Sequence, residues 1–130
     1  MTRDDWLELT VLERKKYNYL TEVQDVTQQL AESLDRNDQV SARMLVAMRQ
    51  GPILRLEEIK QAGSARLESL SPADRERARA LREGAAPQGA EEESYRTQAG
   101  SARRLLERVV ELDRRISLRL AGDHSFYKNK

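Results

Sequence analysis

His124 is the only histidine in the chain and cysteine is absent, so a metal site would lack its usual nitrogen and sulfur donors. His124 reads as a solvated side chain near the C-terminus, and no metal or cofactor is expected. Glu57-Glu58 and Glu91-Glu92-Glu93 set carboxylates side by side, the residue type that general acid–base chemistry uses. Both groups lie in highly charged stretches, where solvated helix faces account for them. Gly84 and Gly89 flank Pro87 and do not lead into a Gly-Lys-Ser/Thr pattern, so no phosphate loop is formed. Arg75, Arg77, Arg79 and Arg82 make a small basic cluster. Asp74, Glu76 and Glu83 dilute it, and no aromatic residues are interleaved on which bases could stack. Nucleic acid is therefore not an expected partner. No catalytic residue emerges, and the expectation is a protein that is not an enzyme.

The elements that would position any binding surface are helices. Leu9, Leu12, Lys16, Tyr19, Val23, Val26, Leu30 and Leu34 follow one another at alternating spacings of three and four, the pattern of a long amphipathic helix packed in a bundle. From Asp4 to Leu34 such a helix would extend roughly 45 Å. Its stripe can be hidden only by other helices lying along it. Aromatic residues make up 5% of the 130-residue chain, so the core must come from Leu, Val, Ile, Met and Ala, a mixture that favours helix. Basic and acidic residues number 23 and 22 and are interleaved, so no strong field draws the chain to nucleic acid or to a membrane surface. The opening Met1-Thr2-Arg3-Asp4-Asp5 has no apolar signal region, and no apolar run is long enough to cross a bilayer. With cysteine absent, the expected location is the cytoplasm.

In chain order, Thr2 and Asp5 are spaced as a capping box, and Asp35-Arg36-Asn37-Asp38 stops the first helix and caps the second. The second, from about Gln39 to Leu70, repeats at eleven residues: Leu45, Leu56 and Leu67, and Met48, Ile59 and Leu70. Because this phase survives Gly51-Pro52, Pro52 should kink the helix without ending it. Ser71-Pro72-Ala73-Asp74 opens a short third helix with Ser71 as N-cap and Asp74 as capping-box acid, and that helix ends at Gly84 as a peripheral connector. A last long helix begins near Glu91, with stations at Tyr95, Ala99, Ala102, Leu106, Val109, Asp113, Ile116 and Leu120 and with Gly122 just past its end. The fold class is thus all-α: an elongated antiparallel helical bundle of three long helices plus one short connecting helix. Residues 1–122 form its single domain and residues 123–130 a short tail. Because the third helix is too short to span the bundle, the first and last helices should run parallel. Lys16 and Asp113, each alone in its ladder, should then not meet within one chain. Trp6 either closes one end of the bundle or lies at an interface.

Leu105, Val110, Leu112 and Leu118 fall outside the stations of the last helix and give it an apolar band wider than a three-helix core consumes. These four are the expected partner-binding residues. The stretch from Leu9 to Leu70 has a leucine-and-valine helix, the Asn37-Asp38 break, and a second helix with Met44-Leu45, Arg49 and Leu56-Glu57-Glu58-Ile59. It resembles the FlgN-type flagellar export chaperones. The resemblance implies a cytoplasmic helical bundle that binds the C-terminal helical segment of hook-filament junction proteins and delivers it to export-gate components of the flagellar type III system. It implies no membrane insertion, and a free form that is monomeric or a weak homodimer. The alternative is a non-enzymatic helical adaptor or structural protein that homodimerises through its exposed apolar stripe.

Overall fold

The first three helices each begin where a polar side chain satisfies a backbone N–H group that has no partner within the helix. The computed structural model describes the backbone of residues 1–128 and the side chains of residues 1–120. Its four helices are α1 (Arg3–Asp35), α2 (Gln39–Glu68), α3 (Pro72–Arg82) and α4 (Ala90–Lys128), and the described residues contain no strand. The chain is an all-α bundle. At α1, the Asp5 N–H donates to Thr2 Oγ1 at 3.1 Å and the Thr2 N–H to Asp5 Oδ2 at 2.9 Å, closing the expected capping box. Asp38 caps α2 by accepting from the Ser41 N–H at 3.0 Å, after Asn37 turns the chain with a φ of 57°. Ser71 caps α3 by accepting from the Asp74 N–H at 3.2 Å, with Pro72 at the first helical position. Asp74 is not a capping-box acid, however. Its carboxylate lies 3.5 Å from the Met1 amino group.

The helix α1 is the central element, packed along its length against α2 on one side and α4 on the other. It therefore buries two faces, and Leu20 and Thr27 join the core although they lie off the ladder that marks the first face. Thr27 Oγ1 donates to the Val23 carbonyl at 2.6 Å and Thr10 Oγ1 to the Trp6 carbonyl at 2.7 Å, so neither buried hydroxyl is left unsatisfied.

Three clusters fix the directions of the helices. At one end Trp6 and Leu9 of α1 pack with Ala78 and Leu81 of α3 and Tyr95 and Ala99 of α4, and Leu67 of α2 closes over them. In the middle Leu20 and Val23 meet Leu105 and Val109, with Leu56 against them. At the far end Leu30 and Leu34 meet Ala42, Leu45 and Ile116. Along α1 the α4 partners rise in number and the α2 partners fall. Helices α1 and α4 are thus parallel, with α2 antiparallel to both. Lys16 pairs with Glu13 at 3.7 Å, while Asp113 pairs with Arg49 of α2, so Lys16 and Asp113 stay apart.

Helix α2 runs through Pro52 without ending, because both flanking segments pack on the same helix. Although short, α3 is more than a connector: Ala78 and Leu81 are fully buried and seal the end of the bundle around Trp6, whose ring centroid lies 5.5 Å from that of Tyr95. Helix α4 continues past Gly122 to Lys128, so the expected stop at that glycine does not occur. The side chains of His124 and Phe126 lie outside the described residues.

Candidate functional site

An apolar band on α4 requires that its leucines face away from α1, and one of them does not. Leu105 is 2% exposed and packs between Leu20 and Val23, so it is core. The stripe steps from Ala102 by three residues to Leu105, not by four to Leu106, and Leu106 is therefore the leucine left partly open. Leu112 is half-buried, whereas Val110 and Leu118 are 56% and 62% exposed. The four residues expected to bind a partner are thereby split between core and surface and do not make one face.

The basic cluster of α3 is also dispersed. Arg77 Nε donates to Glu92 Oε1 at 3.1 Å and a terminal nitrogen to the Ala86 carbonyl at 2.9 Å. Arg79 is held by Glu76 and Glu83. Arg77 meets α4 at Glu92, and Arg82 meets it one turn further on, with Nη1 3.4 Å from the Tyr95 hydroxyl. There it joins Arg96, Arg103 and Arg104 around a cleft of about 480 Å³ between the C-terminal end of α3 and the outer face of α4. Arg103 donates to the Arg82 carbonyl at 3.2 Å, which ties the two helices together across the cleft. Gly100 leaves room for Arg104, whose Nη1 would lie only 3.3 Å from a Cβ at that position. Glu83 and Glu107 on the rim are engaged by Arg79 and Arg103, while Arg96 forms no ion pair among the described residues. The cleft thus has four guanidinium groups against two carboxylates that are already paired. Burial pushes the Tyr95 phenol above its ordinary pKa, an effect that Arg82 opposes. Sequence reading missed this cleft, although Arg96, Gly100, Arg103, Arg104 and Glu107 recur at the spacing of one helix face.

A self-contained magnesium–nucleotide site does not fit these residues. Such sites set a glycine-rich loop between a strand and a helix, so that backbone N–H groups hold the phosphates at the helix N-terminus. Here the loop between α3 and α4 leads into Glu91, Glu92 and Glu93, and the Glu92 carboxylate accepts from the Gln88 N–H at 3.0 Å. The position a phosphate would take is filled by a carboxylate. Among the described residues no three acidic, histidine or cysteine side chains converge on a point that could hold a metal.

The fold and the cleft define an all-helical protein with an arginine-lined cleft between two of its helices. Residues 9–120 match the AAA domain family (dynein-related subfamily), and the chain belongs to that family. Comparison with curated proteins and with solved structures returns no match. The family match corrects the resemblance to FlgN-type export chaperones: it names a different family, and the chaperone, flagellar-biogenesis and type III export roles fall with that resemblance. The non-enzymatic adaptor of the alternative reading falls as well, since the family is one of ATPases. Hook-filament junction proteins and export-gate components, expected on the same ground, lose that support. The expectation of a protein that is not an enzyme is also overturned, because AAA domains are typically ATPases. No helix among the described residues is long and apolar enough to cross a membrane.

Proposed function

We propose that this chain takes part in ATP hydrolysis by an AAA-class assembly, offering the Arg82–Arg96–Arg103–Arg104 cleft to the phosphates of a nucleotide held chiefly by another subunit. The reading rests on the family match together with one observation, a cleft whose only two carboxylates are already paired while Arg96 is not. Guanidinium groups suit this task because their planar donor forks match phosphate oxygens and stay charged at every physiological pH. An arginine brought to a nucleotide from a neighbouring subunit stabilises charge that the nucleotide's own loop leaves uncovered. The cysteine-free sequence suits the cytoplasm, where ATP is abundant.

Calorimetric titration of the purified chain with ATP tests this reading. Weak binding is expected that fades with added salt and persists in the presence of a chelator, because no residue of the cleft needs the metal. Adenosine, lacking phosphates, should not bind. The double variant Arg96→Gln/Arg104→Gln should weaken ATP binding by about tenfold or more with helical content unchanged. Equal affinity of that variant and the natural chain would overturn the assignment.

A further inference from the structure

Between α2 and α4, on the face of α1 that neither covers, runs a second groove of about 470 Å³ whose walls are mainly apolar. It exists because α2 and α4 each pack on α1 but barely on one another. Leu20 forms the floor, Leu56 and Leu67 one wall, and Leu106, displaced from the core by Leu105, the other. At a rise of 1.5 Å per residue, the eleven-residue step from Leu56 to Leu67 gives it a length of about 16 Å, three turns of helix. Gly63 stands midway along that wall, where a Cβ would meet nothing within 4 Å. A glycine inside a helix costs about 1 kcal/mol relative to alanine. Among the described residues no neighbour requires that glycine, and its effect is to deepen the groove.

The charges around the groove say what would fit it. Lys16, Lys60 and Arg82 border it, against Glu13, whose carboxylate is engaged by Lys16 at 3.7 Å. Lys60 is exposed and makes no ion pair among the described residues. We infer that this groove docks an amphipathic helix from another protein, about three turns long, with an apolar stripe for the leucines and acidic residues for Lys60. A second copy of this chain is the poorer occupant, since its helices interleave both signs of charge and total +1. The surface is separate from the arginine cleft except for Arg82, which borders both.

The test uses the full chain and a fluorescein-labelled designed peptide helix with leucines at heptad spacing and glutamates flanking them, followed by fluorescence anisotropy. A second peptide carries lysines in place of the glutamates. The acidic peptide should bind, and the basic one should bind at least about tenfold more weakly. A Cβ at position 63 meets nothing within 4 Å and the side chain beyond it extends into the groove, so Gly63→Leu should leave the helical spectrum unchanged and the melting temperature unchanged or raised, and it should abolish binding. Lys60→Glu should reverse the preference between the peptides. Equal binding of the two peptides, or unaltered binding to Gly63→Leu, would overturn the inference. So would sedimentation of the natural chain as a dimer that Gly63→Leu dissociates, because the occupant would then be a second copy. None of these readouts involves ATP, so the arginine cleft can fail without this surface failing.

Discussion

Leu105 and Leu106 are chemically identical neighbours with opposite fates, and the difference is one of helical phase. Leu105 completes the layer formed by Leu20, Val23 and Val109, where truncation would leave a void that packed neighbours cannot refill. Leu105→Ala should therefore cost about 2–5 kcal/mol, read as a lower urea midpoint with an unchanged slope. Val110→Asp should stay within about 0.5 kcal/mol of the natural chain in the same titration, since that side chain already faces water. A destabilisation of Val110→Asp as large as that of Leu105→Ala would mean that the α4 surface is covered. The arginines show the same dependence on position. Arg49 and Arg66 reach across between helices, to Asp113 and to Asp5 and Glu8, and each keeps a buried Nε without an aligned acceptor. The Arg66 Nε lies 2.7 Å from a Glu8 oxygen, but its N–H does not point at it. Such a nitrogen limits what the pair contributes to stability.

At the scale of elements, α2 is the weakest of the long helices by design of its residues. It combines Gly51, Pro52 and Gly63 and buries only Ala42 and Leu45 completely. A Cβ at Gly63 would meet nothing within 4 Å, so Gly63→Ala should raise stability by roughly 0.5–1 kcal/mol, measurable as a higher melting temperature. Element boundaries were largely legible in the sequence because they depend on local chemistry. Thr2, Asp38 and Ser71 cap their helices as their residue types require, and the parallel course of α1 and α4 follows from the shortness of α3. What spacing alone could not resolve was phase where leucines are adjacent. Leucines at 105 and 106 satisfy steps of three and of four from Ala102 equally well, and only the position of α1 decides between them. The two candidate sites were illegible for a related reason. Arg82 and Arg103 come together only because α3 folds back over α4, and the apolar groove exists only because α2 and α4 stand apart. No local pattern encodes either distance.

For the whole molecule, the charges that leave the net value near zero also link stability to pH. The carboxylates of Asp5, Asp38, Glu76, Glu92 and Glu111 are all held below their ordinary range, chiefly by hydrogen bonds: from Thr2 for Asp5, from Ser41 for Asp38, and from arginines for the three glutamates. For a group whose pKa is lower in the folded chain, the unfolded chain takes up the proton first. The stabilisation is then complete above about pH 4.5 and drains away as the pH falls through the folded values. Tyr95 works in the opposite direction. Burial raises its phenol, so the unfolded chain loses that proton first and stability declines as the pH rises past about 10. Thermal unfolding should therefore show a plateau across neutral pH with one decline on each side. The two declines have separable causes. Glu92 accepts from Arg77 and from the Gln88 N–H at the start of α4, so Glu92→Gln should lower the melting temperature at pH 7 and make the acid decline shallower. Tyr95→Phe keeps the ring packed on Trp6 and removes the ionising hydroxyl, so it should flatten the alkaline decline and leave the acid one as it was. An alkaline decline that survives Tyr95→Phe would place its origin elsewhere in the chain.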